Sequence, residues 1–340
     1  MVMAKTDFSL VVPTYSGEDT LGPVLESVLG QETKNSYEVV IVIDGPKESL
    51  LRISNIYKKK FSNIGVKCNV YQLETNKGRF IARQEGATRA TSKTLLFADD
   101  RNILDRHYFS NIVDYDYEIT IPNVIQKTSP TLISKTLYMV RKAIYPQWGT
   151  DFKSYYIDST NFEKSSKGTT GLWVPRKLFL DVCSSVEKEN DTSGKYTNED
   201  TRIFKNIISR NKKIYRMSEA KVYYQSRSNF KEEVRHLYER GPRFVDYYIK
   251  PGTRFFIPLT MSLVAPLIIV AVIVVSPDFI KYIITALLII LLSSAIYIGR
   301  NLQSASIALV GLLTIGTIFI VGAYKGFGIF ILGKLKNEKN

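Results

Sequence analysis

Three uncharged runs close the chain. Residues 255–275, 282–299 and 301–324 hold 21, 18 and 24 consecutive positions without Asp, Glu, Lys or Arg. A helix needs about 20 apolar residues to cross the hydrocarbon of a bilayer, so each run is of spanning length. Pro258 and Pro266 lie inside the first run, and membrane helices tolerate proline because neighbouring groups re-satisfy the freed backbone. Three such runs in succession exclude a purely soluble protein. They predict an all-α transmembrane region over 254–340, with helices at 255–275, 280–299 and 304–324. Lys281, Arg300 and Lys325 all fall at or near the ends of these runs. No ion path is therefore expected, and the region reads as an anchor in contact with membrane lipids.

Basic residues in flanking loops set orientation. Arg235, Arg240, Arg243, Lys250 and Arg254 precede the first run, so that side is expected to be cytosolic. The next loop, SPDFIK, is short and nearly neutral, and Arg300 occupies the one after it. A third crossing would put Lys334, Lys336 and Lys339 outside, against the rule; the stretch GFGIFILG (326–333) offers the alternative of folding back into the cytosolic interface. The N-terminal MVMAKTDFSLVVPTY has too short an apolar run for a signal peptide. The expected location is a multi-pass cell-membrane protein with its first domain in the cytosol.

The 340 residues carry a net charge of +14, yet residues 254–340 hold only seven basic and two acidic residues. The basic excess therefore sits mostly in the first domain and in the 230–253 collar. It is interleaved with acids and accompanies no nucleic-acid-binding motif, so no nucleic-acid partner is expected. Two cysteines, Cys68 and Cys183, cannot build a disulfide framework, and no Cys/His spacing suits zinc. With only His107 and His236 present, the chemistry must run on carboxylates.

The first 229 residues read as an α/β domain. FSLVVP (8–13), YEVVIVID (37–44), VKCNVYQL (66–73) and TLLFA (94–98) are short apolar or β-branched runs. Helical patterns beginning after Thr20, over 47–60 and over 79–90 alternate with them. That alternation predicts a mostly parallel central sheet, which binds ligands at the carboxyl ends of its strands. The 13–18 loop, Asp44 and Asp99-Asp100 fall there. Farther on, GLWVP (171–175) reads as a strand meeting a helix at Pro175. EKENDTSGKYTN (187–198) reads as a polar loop and 199–210 as a helix. KIYRM (213–217) and KVYYQ (221–225) read as two short strands. Residues 230–249 suit an interfacial amphipathic helix that Gly241-Pro242 should break.

Adjacent carboxylates after a buried strand can bridge Mg²⁺ to substrate phosphates, which makes Asp99 and Asp100 candidate metal ligands. Glu199-Asp200 opens a helix, where acids serve either as first-turn partners of the helix dipole or as a general base. Arg79 and Arg83 lie one turn apart behind the Asn76-Lys77-Gly78 turn, suited to a nucleotide diphosphate or to a solvated face.

In order, VVPTYSGEDTLGPVLESVLGQ, YEVVIVIDG, TNKGRFIARQEGATRATSKTLLFADD and NEDTRIFKNIISRNKKIYR resemble family 2 glycosyltransferases of the GT-A fold, over residues 8 to about 225. The resemblance implies a GT-A nucleotide-sugar-binding domain in which Pro13, Thr14, Tyr15, Glu18, Asp44, Arg79 and Asp99 bind the donor. It implies that Asp99 and Asp100 hold a divalent cation, Mg²⁺ or Mn²⁺. Asp200 would act as catalytic base with Glu199 beside it, and Thr169, Thr170, Gly171, Leu172 and Trp173 would line the acceptor side. Two departures stand out: the second strand ends in one acid, Ile43-Asp44-Gly45-Pro46, and Arg101 occupies the third position of the acidic motif.

The expected protein is a membrane-anchored, inverting, metal-assisted glycosyltransferase. It would move sugar from a nucleotide-diphosphate sugar to a lipid-linked or glycan acceptor in cell-surface glycan or glycoprotein glycan assembly. The alternative acceptor is a polyprenyl phosphate. Rivals from other classes are a nucleotidyltransferase, which would release pyrophosphate, and a non-catalytic membrane scaffold that keeps the nucleotide-sugar pocket. The Gln225-Ser226-Arg227-Ser228-Asn229-Phe230 text lacks the Q-x-x-R-W element of processive synthases, so no polymer-extruding activity is expected.

Overall fold

The strand β1 (Phe8–Thr14) is buried at all seven positions, as befits a strand covered on both faces. The computed structural model describes residues 6–115, 117–127, 131–145, 152–188, 196–227 and 229–337. These form two compact units. One comprises Met1–Lys127, Gln147–Lys195 and Glu199–Gln225; the other comprises Thr128–Pro146, Tyr196–Asn198 and Ser226–Asn340.

In the first unit, β1 is followed by α1 (Leu21–Leu29), β2 (Tyr37–Ile43), α2 (Glu48–Asn63), β3 (Lys67–Gln72), α3 (Arg79–Arg89) and β4 (Thr94–Phe97). β5 (Asn102–Leu104), α4 (Tyr108–Val113) and β6 (Thr120–Lys127) come next. After α5 (Leu132–Ile144), which belongs to the other unit, the chain returns with β7 (Tyr155–Ile157), β8 (Trp173–Pro175), α6 (Arg176–Lys188), α7 (Glu199–Ser209) and β9 (Ile214–Gln225). The strands lie in the order β3-β2-β1-β4-β8-β6-β9-β5, with β7 also pairing β9. β3, β2, β1 and β4 are mutually parallel, and β8 runs antiparallel between β4 and β6.

One face of the sheet packs Phe8, Leu10, Val12 and Ile41 against Leu21, Leu25, Val28, Leu50 and Phe61 of α1 and α2. On the other face α3 comes so close to β1 that a Cβ at Gly86 would run into Val11. The strands and helices expected over 8–98 are present within a few residues of the expected bounds. Residues 189–195 of the expected polar loop lie outside the described residues.

Two expectations are corrected. The pieces 213–217 and 221–225 are one 12-residue strand, β9. Its register against β6 nevertheless jumps from Ile121↔Arg216 to Asn123↔Lys221, so the gap read in the sequence is an irregularity inside a continuous strand. The second correction concerns Gly241-Pro242. In the second unit α8 (Phe230–Tyr248) runs through Pro242 as a single helix.

α9 (Phe256–Val275), α10 (Ile280–Gly299) and α11 (Leu302–Asn337) complete the second unit. The ring of Pro242 removes the donor that Tyr238 C=O would otherwise meet. That carbonyl faces α11 instead, where a Cβ at Gly322 would run into it. The bare Cα of Gly322 leaves room for that carbonyl, and α8 continues. α9, α10 and the Leu302–Gly333 part of α11 are each long and apolar enough to cross a membrane. The 326–333 stretch continues α11 without a break.

Candidate functional site

The acids come together at the carboxyl rim of the parallel strands. Pairing with β1 extends past the ends of β2 and β4: Asp44 N–H donates to Thr14 O at 2.8 Å and Ala98 N–H to Val11 O at 3.0 Å. Asp44 and Asp99-Asp100 are thereby delivered at the same edge. Thr14 Oγ1 donates to Asp100 Oδ2 at 2.7 Å. Gly17 closes over this contact, since a Cβ there would lie 2.6 Å from Asp100 Oδ2.

Arg83 is the hub. Its side chain is 1% exposed, and it reaches Asp99 Oδ1 at 2.6 Å, Glu199 Oε1 at 3.2 Å and Asp200 Oδ1 at 3.5 Å. One turn earlier on α3, Arg79 pairs with Glu199 and lies 3.6 Å from Asp200 Oδ2. Hydroxyls complete the set: Thr169 donates to Asp200 Oδ1 at 2.6 Å and Thr170 to Asp99 Oδ2 at 2.5 Å. Thr170 in turn accepts from Asn102 Nδ2 at 3.2 Å.

These two threonines are aimed by Gly171, whose φ of +67° is one that residues with a Cβ rarely adopt. A Cβ there would run into the Tyr108 hydroxyl and lie 2.5 Å from Pro122 Cγ. The Gly171 carbonyl accepts from that hydroxyl at 2.9 Å, and its N–H donates to Phe97 O at 2.8 Å.

The electrostatics divide the acids. Burial pushes the Asp200 carboxyl up, but Arg79, Arg83 and the Thr169 hydroxyl outweigh it and hold it below the ordinary range. Burial pushes Asp100 up as well, and despite the Thr14 hydroxyl its carboxyl ends above the ordinary range, with the Asp99 charge adding to the rise. Asp99, Glu199 and Asp200 face the guanidiniums of Arg79 and Arg83, and the Arg101 charge acts on Asp100, so the four acids keep a net negative charge that a divalent cation would offset. Among the described residues no group of three or more His, Cys, Asp or Glu forms a metal cage. Two adjacent carboxylates are nonetheless a fitting set for Mg²⁺, which takes one or two from protein and the rest from water and phosphate.

The remaining expected residues are placed as follows. Pro13 is buried inside β1, opposite Val42 of β2. Tyr15 is 44% exposed, with the Lys47 ammonium 5.0 Å from its ring centroid. Glu18 accepts from Ser49 at 3.4 Å. Asp44 holds the turn before α3, accepting from Lys77 N–H at 2.8 Å and Gly78 N–H at 2.9 Å. Leu172 and Trp173 do not join the acids: Leu172 is fully buried, and the Trp173 ring sits 5.4 Å from Phe8 in the core. The sequence reading left Arg83 out of the central set and assigned Thr169 and Thr170 to an acceptor. The four-residue spacing of Arg79 and Arg83 was the available signal for the first. Nothing local in the sequence signals the threonine contacts.

Residues 9–180, about half of the chain, match the family described as Glycosyl transferase family 2. A poly(ribitol-phosphate) beta-glucosyltransferase of Bacillus spizizenii is 33% identical over 92 residues, 27% of this chain and 14% of that protein. A dolichyl-phosphate beta-glucosyltransferase of Drosophila melanogaster is 32% identical over 100 residues, 27% of this chain and 30% of that protein. The matched stretches thus cover less than a third of these relatives' own lengths. Among solved structures, residues 1–349 of S. aureus TarS align over 96% of this chain and 92% of that one, with 16% identity and a TM-score of 0.49.

Proposed function

Because this chain belongs to glycosyltransferase family 2, with a GT-A α/β domain, we propose that it is a membrane-anchored, inverting transferase. It takes sugar from a nucleotide-diphosphate donor to a lipid-linked or glycan acceptor that carries phosphate. The observation that supports this best is the convergence of Asp99, Asp100, Glu199 and Asp200 with Arg79 and Arg83 at the rim of the parallel sheet. The named relatives act on poly(ribitol-phosphate) and on dolichyl phosphate, and both acceptors are phosphate-bearing.

In this reading Asp99 and Asp100 hold a divalent cation, which when bound offsets the charge that develops on the leaving diphosphate. Asp44 fixes the turn that begins α3, and Tyr15 and Glu18 border the nucleotide. Asp200 stays ionised at neutral pH and takes the proton of an acceptor hydroxyl, which attacks the anomeric carbon from the face opposite the diphosphate. One displacement inverts the configuration and leaves no covalent sugar on the protein. Arg79, 42% exposed, is the cation free to turn from the acids toward the diphosphate.

The membrane side of the reading rests on charge. α9 has 20 residues, about 30 Å of helix, which matches the hydrocarbon thickness. Arg235, Arg240, Arg243, Lys250 and Arg254 lie just before it, which supports that side as the cytosolic one.

The test is a panel of nucleotide sugars incubated with the full chain in lipid nanodiscs, with Mn²⁺ or EDTA, reading nucleotide release. A metal-dependent nucleoside diphosphate that disappears in Asp200→Asn supports the proposal. Pyrophosphate as product, or full turnover by Asp200→Asn, refutes it.

A further inference from the structure

α11 has 36 residues, about 54 Å of helix against a hydrocarbon core of about 30 Å. Its contacts say where it lies. A Cβ at Gly311 would run into Thr136 of α5. Ile315 packs with Ile133 and Leu237, and the Phe319 ring is 5.3 Å from Phe244. Gly322 meets the Tyr238 carbonyl, and a Cβ at Gly326 would be 2.5 Å from Pro242 Cα. With Gly311 against α5, the stretch 315–326 therefore runs beside α8. That helix carries Lys231, Glu232, Glu233, Arg235, Glu239, Arg240, Arg243 and Asp246, too many charges for hydrocarbon. The two ends left over, 302–314 and 327–337, measure about 20 and 17 Å, each shorter than the hydrocarbon core of about 30 Å. On this reading α11 keeps to the side of the membrane on which α8 lies.

That placement gives Lys325 a task. Its ammonium donates to the Tyr196 hydroxyl at 2.9 Å and lies 4.9 Å from the Tyr196 ring centroid and 5.3 Å from that of Tyr238. Two residues on, Asn198 N–H donates to Asp246 Oδ2 at 2.9 Å, and Asp246 is itself buried. Thr197 between them is fully buried. The segment Tyr196–Asn198 packs with the second unit, and one peptide bond joins it to Glu199. We propose that Lys325 of α11 and Asp246 of α8 are positioning residues that grip Tyr196–Asn198 and so set the first turn of α7, which carries Glu199 and Asp200. The proposal rests on the reading of that pair as catalytic. It makes the membrane-side helices part of the apparatus that orients the acids, beyond their use as an anchor.

The test uses the full chain in nanodiscs, with Lys325→Met, Lys325→Arg and Asp246→Asn beside wild type. UDP with Mn²⁺ is the binding probe, the UDP-sugar that wild type turns over is the substrate, and amide hydrogen exchange of 199–203 is the readout of positioning. Lys325→Met is expected to speed exchange at 199–203 and to lower kcat roughly 10- to 100-fold, the scale of a displaced catalytic group. UDP affinity and donor KM should stay within about twofold by the same reasoning, because the donor contacts are not displaced. Lys325→Arg restores most of the rate, and Asp246→Asn, which keeps an acceptor oxygen, falls between. Unchanged exchange in Lys325→Met overturns the proposal. So does a parallel fall of kcat, UDP affinity and melting temperature, which would mark a general loss of structure. Failure of wild type to bind UDP or any nucleotide sugar would instead strike the transferase reading, with the exchange measurement still deciding the positioning claim.

Discussion

Arg83→Met removes a side chain that touches three of the four acids. In the wild type its guanidinium is 1% exposed and lies 2.6 Å from Asp99, 3.2 Å from Glu199 and 3.5 Å from Asp200. Removing one partner of a buried ion pair costs about 3–5 kcal/mol, because the other charge is left uncompensated in the interior. Arg79 remains on Glu199 and Asp200, so the lower end, about 3 kcal/mol, applies. At about 2–4 °C per kcal/mol for a unit of this size, the melting temperature should fall by about 6–12 °C. Scanning fluorimetry of the detergent-solubilised chain measures it, with Glu199→Gln and the double variant closing a cycle. The double variant should be more stable than the sum of the singles predicts, by at least about 1 kcal/mol, since the neutral Gln no longer needs the guanidinium. The sign with pH is also set. Asp200 is held below its ordinary range, so its stabilising contribution is present above the unfolded-state value and is lost as pH falls through the folded one. Without Arg83 that contribution shrinks, so the gap between variant and wild type should hold steady down to about pH 4 and narrow only below the ordinary aspartate value, about 3.9. A strictly additive cycle, or a gap that does not narrow as pH falls from about 4 to about 2.5, below the ordinary aspartate value, refutes the hub assignment.

Other outcomes follow from the same contacts. Gly171→Ala puts a Cβ against the Tyr108 hydroxyl and Pro122 at a positive φ; it should destabilise by about 2–3 kcal/mol and abolish turnover, read by melting and by nucleotide release. Asp100→Asn should raise the Mn²⁺ concentration for half-maximal activity at least about tenfold, since one of two hard oxygen ligands becomes a weaker one; an unchanged Mn²⁺ titration would remove Asp100 from the metal site. Gly322→Val drives a side chain into the Tyr238 carbonyl and should part α8 from α11, read as faster amide exchange over 238–245. A cysteine placed at Leu332 should react with a membrane-impermeant maleimide from the same side as the first domain; labelling from the opposite side would mean that α11 crosses.

The parts legible in the sequence were those whose structure is decided locally. β1 and β2 are β-branched runs buried at every position, and their bounds follow from Pro13-Thr14 and Asp44-Gly45, where the chain must turn. Residues 101–170 were opaque for the opposite reason. β5 and β7 have three residues each, too few for a period, and they exist because β9 offers them an edge. The register jump between Arg216 and Lys221 divides a continuous strand at the place where the apolar alternation lapses, so the pattern was read correctly and its meaning was not. At Gly241-Pro242 the local rule predicted a break, and the rule lost because the carbonyl that proline leaves idle is met by a glycine of α11, far along the chain.

The site divides along the same line. Acids at a strand end or a helix start can be picked out from their neighbours, as Asp99-Asp100 and Glu199-Asp200 can. What joins them cannot be picked out that way, because each link spans a long stretch of sequence: Arg83 to Glu199, Thr14 to Asp100, Thr169 to Asp200. A buried arginine looks like any other basic residue until its three partners are in place. A threonine pair looks like a loop until Gly171 turns its hydroxyls onto the acids. The spacing of Arg79 and Arg83 was the one hint, since two cations a turn apart on a helix otherwise repel and sit together without cost when several carboxylates face them. Wherever a short helix stacks like charges one turn apart just past a glycine turn, opposite charges from distant parts of the chain are the partners to look for.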